Sequence, residues 1–229
     1  MVSVAILLPE LLGTYGDVGN ALVVAQRARR RGVAVELLEV CVGDAVPPAD
    51  LYLLGGGEDG PQRLACDLLA ASSFPERVAD GAHVVAVCAG LQLLGQTFAV
   101  EGADEYPGLG LVNARTYRGT RRSVGDLAVS VAGQWLVGFE NHGGRTVLDA
   151  NLPGLGTVAR GRGNDGQTDG LRVGNIRATY AHGPVFALNP WFCDEVLADV
   201  LGRDLEPLAG VADRLYEERC RTLTLRRPG

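Results

Sequence analysis

Several features that mark other classes of protein are missing from this sequence of 229 residues. No apolar run reaches about 18 residues, so the pattern predicts no membrane-spanning helix and no membrane insertion. The N-terminus lacks a charged segment, and Pro9 interrupts its apolar residues early, so we expect no secretory signal peptide. No GxxxxGKS or GxxxxGKT motif occurs, which argues against ATP binding by a P-loop.

Cysteine is scarce, and basic residues form no long run. The five cysteines are scattered, odd in number and without a CxxC pair, which argues against a disulfide framework and a zinc site. A reducing cytoplasm is therefore the expected compartment. The net charge of −6 indicates no nucleic-acid surface. A hydrophobic content of 47% with 32 glycines is instead typical of a globular chain with many tight turns.

The first half of the sequence alternates between strand and helix patterns. Asn20 or Asp17 is the expected N-cap of the first helix, which Gly32 ends. The alternation predicts an α/β fold with a mostly parallel central sheet flanked by helices. The predicted strands are 3–8, 33–40, 51–54 and 83–87, and the predicted helices are 21–31, 61–71, 75–80 and 91–98.

The second half has shorter β-like segments separated by glycine-rich turns, which indicates added antiparallel strands. One further strand, at 176–181, leads to His182, and helices are predicted at 190–201 and 208–221. No repeat, linker or low-complexity tail interrupts the chain, so we expect residues 1–229 to form a single domain. The predicted β segments are 127–131, 135–139, 157–160 and 171–173.

The strand at 83–87 is followed by Cys88, whose surroundings are typical of a nucleophile elbow. Ala86 and Gly90 stand two residues before and after it, and small residues are needed there because the strand turns sharply into a helix. Free N–H groups and the helix dipole at the start of that helix favour a thiolate. A buried structural cysteine is the alternative interpretation of the same pattern.

A cysteine nucleophile needs a base, and His182 is the histidine that the sequence favours. Cys88, the glycine turn at 55–57 and His182 each follow a predicted strand, and the carboxyl ends of parallel strands share one edge of the sheet. His83 lies at the opposite end of its strand. His142, in a polar loop that could line the site, is the second choice.

Acyl transfer also requires donors for the oxyanion that develops on the substrate. The backbone N–H of Ala89 is the expected first donor. The turn at Gly55 and Gly56 is the expected second, because glycine lets the backbone approach a substrate closely. A tight strand-to-helix connection without contact to substrate is the alternative for this turn.

Four motifs, in conserved order along the chain, resemble those of the class I glutamine amidotransferases. Residues 88–95 (CAGLQLLG) are similar to the C-x-G-x-Q-L-L-G elbow, and 55–59 (GGGED) to the glycine-rich oxyanion strand. Residues 180–183 (YAHG) and 138–146 (GFENHGGRT) resemble segments of the CobB/CobQ-type branch. The segment 9–20 (PELLGTYGDVGN) narrows the resemblance to glutaminase subunits of lipid II isoglutaminyl synthases.

This resemblance implies a three-layer class I glutamine amidotransferase-like fold and a reaction without cofactor or metal. Cys88 would attack the side-chain amide of L-glutamine to give a thioester, and His182 would protonate the leaving ammonia. The ammonia would pass to a MurT-like, ATP-dependent Mur-ligase partner in a heterodimer, which amidates the D-glutamate α-carboxyl of lipid II. Gln92 and Arg122 are the implied substrate-binding residues, with Arg121 as the near alternative to Arg122.

The sequence departs from many class I amidotransferases just after its histidine. Residues 182–186 (HGPVF) have no glutamate two positions on that could orient the imidazole. We therefore expect a Cys–His dyad or an acid from elsewhere, and our hypothesis is that the partner supplies it, so that hydrolysis is weak in the chain alone. Other functions stay open: a cobyrinic- or cobyric-acid-type amidotransferase component, a cysteine hydrolase of a related elbow fold, and a non-catalytic partner-binding scaffold.

Overall fold

A computed structural model describes residues 1–225, without the side chains at positions 103 and 104. The strands in this part of the chain are β1 (Val2–Leu7), β2 (Val35–Val40), β3 (Leu51–Leu54), β4 (His83–Val87), β5 (Thr97–Val100), β6 (Ala103–Pro107), β7 (Ala114–Val131), β8 (Gln134–Leu148), β9 (Gly156–Arg160), β10 (Thr168–Asp169), β11 (Leu171–Val173) and β12 (Ile176–Thr179). The helices are α1 (Gly19–Arg29), α2 (Asp59–Ala70), α3 (Phe74–Ala79), α4 (Ala89–Leu94), α5 (Val185–Leu188), α6 (Pro190–Leu201) and α7 (Val211–Thr222).

The first sheet has the strand order β11-β12-β4-β3-β1-β2, and only β11 pairs antiparallel with its neighbour. The strands β3 and β12 are buried along their whole length, as expected for strands of a parallel sheet covered on both faces. The predicted parallel sheet is confirmed. Because β1, β3, β4 and β12 all run the same way, the segments that follow them emerge at one edge.

The second sheet has the order β10-β9-β7-β5-β6, and β8 pairs with β7 in a long antiparallel hairpin. The predicted segments 127–131 and 135–139 are only the buried ends of β7 and β8. The arginine-rich middle of β7 is exposed, so no apolar alternation marked it as strand. The turn of the hairpin uses Ala132 and Gly133, both with positive φ, which matches the twist of the paired strands.

Two local predictions are wrong. The helix predicted at 91–98 ends at Leu94, because Gly95 is extended and the N–H of Gln96 donates to the carbonyl oxygen of Ala114; Thr97 then begins β5. Neither Asp17 nor Asn20 caps α1, whose N-cap is Val18 without a side-chain hydrogen bond. Both side chains are bound elsewhere in the fold.

One large cluster of buried apolar side chains extends through both sheets, and a smaller one lies around Ala128, Val137 and Leu223. The large cluster runs from Val2 in β1 to Leu197 in α6 and includes Leu127 and Val129 of β7. Burial on this scale is the main source of stability for such a fold. Within residues 1–225, every helix is too short or too polar to cross a bilayer.

Candidate active site

Cys88 sits on a strained turn between β4 and α4. Its φ of 52° and ψ of −102° lie in a region that non-glycine residues rarely adopt, and its N–H donates to the carbonyl oxygen of Thr179 at 2.9 Å. A Cβ on Gly90 would lie 2.8 Å from the Cβ of Leu54, so only glycine fits two residues after the cysteine. The turn therefore has the geometry of the predicted elbow.

The thiol of Cys88 is 5% exposed, and its surroundings favour the protonated form. Burial raises the pKa of Cys88 to about 12, and the negative charge of Asp17 acts in the same direction. The backbone N–H of Ala89 and the guanidinium of Arg122 oppose the rise without cancelling it. The cysteine is thus a thiol at neutral pH, and nucleophilic attack requires a base.

His182 is fully buried beyond the end of β12, with its Nδ1 3.0 Å from Oδ2 of Asp17. An ionised carboxylate only accepts hydrogen bonds, so Nδ1 carries the proton and Nε2 is left with its lone pair. Within residues 1–225, Nε2 has no hydrogen-bond partner. The rings of Tyr15 and Phe139 pack on the imidazole, with centroids 4.5 and 5.3 Å away.

The sequence left open whether an acid accompanies the histidine, and the structure places one beside it from a distant part of the chain. Asp17 supplies one from the loop that follows β1, 165 positions away in the sequence. No local motif joins these two residues, and Asp17 sits where the sequence pattern predicts a helix cap. The signal that points to it is its place after a parallel strand, at the edge where Cys88 and His182 also lie.

The glycine turn contacts both the acid and the base. The N–H of Gly56 donates to Oδ2 of Asp17 at 2.9 Å, and the carbonyl oxygen of Gly55 accepts from the N–H of Gly90 at 3.1 Å. A Cβ on Gly56 would lie 2.5 Å from Cε1 of His182. The N–H of Gly56 thus faces the acid, while Gly57 lines the cavity in front of the cysteine.

A cavity of about 340 Å³ opens in front of Cys88. Arg122 lines it, and its Nε donates to Oδ1 of Asn141 at 2.5 Å. The phenol oxygen of Tyr15 accepts from both Arg122 and Asn141, at 3.3 and 3.0 Å. Arg121 is not among the cavity-lining residues, and its carbonyl oxygen binds Arg145 instead. Of the two neighbouring arginines, it is therefore Arg122 that borders the cavity.

Gln92 lines the same cavity, with its side chain held on both sides. Its Nε2 donates to the hydroxyl of Tyr180 at 3.2 Å, and its Oε1 accepts from Nε2 of Gln62 at 2.9 Å. A Cβ on Gly144 would lie 2.6 Å from Nε2 of Gln92, so β8 packs tightly on this network. Gln92 is therefore a fixed part of the cavity wall.

His142 lies on β8, not in a loop, and it is buried against acceptors. Nδ1 is 3.1 Å from the carbonyl oxygen of Gly144, and Nε2 is 3.1 Å from Oε2 of Glu140. Burial alone would raise the pKa of Glu140. Hydrogen bonds from His142 and from backbone N–H groups outweigh it and hold this pKa below its usual range. Both ring nitrogens of His142 thus face acceptors and its ring stacks on Tyr180, so the side chain is engaged by β8 and its neighbours.

Comparisons with known proteins agree with this geometry. A protein-family model for the CobB/CobQ-like glutamine amidotransferase domain matches residues 3–190. The lipid II isoglutaminyl synthase (glutamine-hydrolyzing) subunit GatD of Staphylococcus aureus (strain N315) is 33% identical over 193 residues, which cover 82% of this chain and 79% of that protein. The corresponding subunit of Streptococcus pneumoniae (strain ATCC BAA-255 / R6) is 32% identical over 229 residues, with 94% and 88% coverage.

A solved structure of a glutamine amidotransferase superposes with a TM-score of 0.60 at 17% identity. The superposition covers 87% of this chain and 98% of that one. At this identity the likeness concerns the fold alone. It confirms the fold class that the motifs predict, with mixed sheets flanked by helices.

Proposed function

The chain belongs to the CobB/CobQ-like glutamine amidotransferase family, and we propose that it is the glutaminase subunit of a lipid II isoglutaminyl synthase. The observation that carries the proposal is the strained Cys88 at the same sheet edge as an imidazole that is held by a carboxylate and has a free Nε2. The chain covers 79% and 88% of the two GatD subunits, which supports the lipid II branch over cobyric-acid-type enzymes. The presence of both Cys88 and His182 at this edge disfavours a non-catalytic scaffold.

In the first half of the reaction, the sulfur of Cys88 bonds to the amide carbon of the L-glutamine side chain. Nε2 of His182 takes the thiol proton and delivers it to the leaving nitrogen, which departs as ammonia. The negative charge on the amide oxygen is stabilised by the N–H of Ala89 and by the glycine turn, where Gly57 borders the cavity. The product is a γ-glutamyl thioester on Cys88.

In the second half, water attacks the thioester carbon. His182 accepts a proton from the water and returns one to the sulfur as the thioester breaks, which releases L-glutamate and restores the thiol. The resting thiol suits this cycle, because the proton that His182 needs for ammonia comes from Cys88 itself. No metal or cofactor takes part.

Arg122 is the proposed anchor for the α-carboxylate of glutamine. Its guanidinium borders the cavity and can grip a carboxylate through two parallel hydrogen bonds. Asn141 of β8 and Tyr15 of the loop after β1 hold it in place. Gln92, fixed by Tyr180 and Gln62, is the proposed polar contact in the cavity wall.

The proposed partner is a MurT-like Mur ligase, which would use ATP to activate the D-glutamate α-carboxyl of lipid II and receive the ammonia. The chain would work with it in the cytoplasm as a heterodimer, and all 229 residues would form one glutaminase domain. The name of the relatives, subunit GatD, supports a complex.

Reconstitution tests the proposal. The chain is mixed with a MurT-like ligase, ATP, lipid II and glutamine labelled with ¹⁵N in its side-chain amide, and the stem peptide is analysed by mass spectrometry. We expect one labelled amide on D-glutamate, with no label transferred when Cys88→Ala replaces the chain. Ammonia release without transfer to lipid II, but with transfer to a corrinoid carboxylate by a cobyric-acid-type partner, would overturn the lipid II assignment.

A further inference from the structure

We propose that Asp17 is the positioning residue that completes the catalytic group of Cys88 and His182, a role the sequence leaves to the partner subunit. This inference rests on the proposed glutaminase function. Oδ2 of Asp17 lies 3.0 Å from Nδ1 of His182, and both side chains are buried, with exposed fractions of 1% and 0%. A charged hydrogen bond in such a dry site is strong and fixes the imidazole in one tautomer.

The same carboxylate oxygen also binds the glycine turn. Oδ2 of Asp17 accepts the N–H of Gly56 at 2.9 Å, so one atom holds both the base and the glycine turn. A Cβ at Gly56 would meet the imidazole at 2.5 Å, which shows how closely turn and base pack. Asp17 therefore sets the distance between His182 and the turn.

A purely structural ion pair does not account for the state of the imidazole. If His182 only anchored the fold, its second nitrogen would also be satisfied in the buried interior. Nε2 instead has no hydrogen-bond partner among residues 1–225. The pair with Asp17 leaves this nitrogen as a base, and its negative charge stabilises the imidazolium that forms when the thiol proton of Cys88 moves to it.

Three other carboxylates line the cavity, those of Glu58, Asp59 and Glu101. Oε1 of Glu58 accepts from the hydroxyl of Tyr15 at 3.3 Å, and Oδ2 of Asp59 accepts from Nη2 of Arg118 at 3.2 Å. Within residues 1–225, none of the three forms a hydrogen bond with His182. The acid is therefore internal to this chain, and the base is oriented before any partner binds.

Kinetics of the reconstituted complex give the first test. We expect Asp17→Asn to lower kcat for glutamate formation by about 10²-fold or more, with KM for glutamine changed less than about threefold. Amidation of lipid II driven by added ammonium chloride should be unchanged, which shows that the complex has folded and assembled. Asp17→Glu should recover part of kcat. The control, Asp44→Asn, removes an exposed acid in the loop after β2 and should leave glutaminase kinetics unchanged.

The tautomer of His182 gives a second test that does not depend on activity. The chain has three histidines, so ¹⁵N-histidine spectra can be assigned with His83→Gln and His182→Gln. We expect the unmodified chain to show Nδ1–H with a bare Nε2 at His182, and Asp17→Asn to lose that single tautomer. An Nε2–H tautomer in the unmodified chain, or an Asp17→Asn variant with kcat within threefold of the parent, would overturn the proposal. Failure of the unmodified complex to hydrolyse glutamine would instead overturn the proposed function, while the spectra still decide the role of Asp17.

Discussion

The buried surroundings of Cys88 keep its sulfur protonated at neutral pH. This protonation has a measurable effect on the reactivity of the cysteine. Because burial raises the pKa of Cys88 to about 12, the fraction of Cys88 that is a thiolate grows about tenfold per pH unit across the alkaline range. We expect the rate at which iodoacetamide alkylates Cys88 to rise without a plateau from pH 7 to 10. The rate is followed by mass spectrometry of the peptide that contains Cys88, which separates it from the other cysteines. A plateau below pH 8 would contradict the protonated resting state.

Asp169 gives a prediction for the stability of the fold. Burial raises its pKa from 3.8 to about 6, although the hydroxyl of Thr179 and the N–H of Tyr180 donate to it. A carboxyl group whose pKa is raised by folding stabilises the folded state below pH 4, where it is protonated in both states. This stabilisation is lost as the pH rises through 6. We expect the free energy of unfolding, measured in urea, to contain a component that falls between pH 4 and 6.

The Asp169→Asn variant isolates this component. Its difference from the parent chain should vary with pH over the same interval and be constant above it. A difference that does not depend on pH between 4 and 6 would mean that Asp169 has the same pKa in both states.

Among the residues of the site, Cys88 and the glycine turn could be predicted because local sterics require small residues at fixed spacing. His182 could be predicted because it follows a recognisable strand. Asp17 could not, because its partner is brought to it only by the order of strands in the sheet. Its sequence context matches a helix cap equally well, and only the packed structure decides between the two.

At the scale of secondary structure, β8 joins the cavity to the polar network behind it. A Cβ at Gly144 would lie 2.6 Å from Nε2 of Gln92 and 2.7 Å from Cγ2 of Thr116, whereas a Cβ at Gly143 meets nothing within 4 Å. We expect Gly144→Ala to displace Gln92 and raise KM for glutamine about tenfold, a loss of about 1.4 kcal/mol of binding. Gly143→Ala is the comparison on the same strand: Gly143 also borders the cavity, but a Cβ there contacts no neighbouring atom, so we expect it to change KM less than Gly144→Ala does. Equal KM values in the two variants would show that Gln92 does not contact the substrate.

The elements of the parallel half could be predicted closely, because short runs of Val, Leu and Ile between turns can only be buried strands there. The helix at 190–201 and the strand at 51–54 match the structure residue for residue. The long hairpin of β7 and β8 could not be predicted in full. Its exposed middle has no apolar periodicity, and its pairing depends on a partner strand rather than on its own residues.

At the scale of the whole molecule, a buried charge cluster ties the N-terminal helix to a helix near the C-terminus. Asp194 of α6 binds Nε of Arg27 at 2.5 Å and Nη2 of Arg31 at 2.7 Å, and both arginine side chains are almost fully buried. We expect Asp194→Ala to lower the free energy of unfolding by about 3 kcal/mol, because two buried guanidinium groups lose their carboxylate. Asp204→Ala, at an exposed position, is the control and should change stability little. A loss below 1 kcal/mol at Asp194 would mean that water replaces the carboxylate.

The separation of Asp17 and His182 in the sequence also bears on how the protein is made. The acid, the glycine turn and Cys88 all leave the ribosome before His182, which can join them only when β12 has paired with β4. In a growing chain, Cys88 therefore has no base until β12 and His182 have been made. The hydrogen bond between Asp17 and His182 is a contact of very long sequence separation, and its formation would report that the sheet has reached its final strand order.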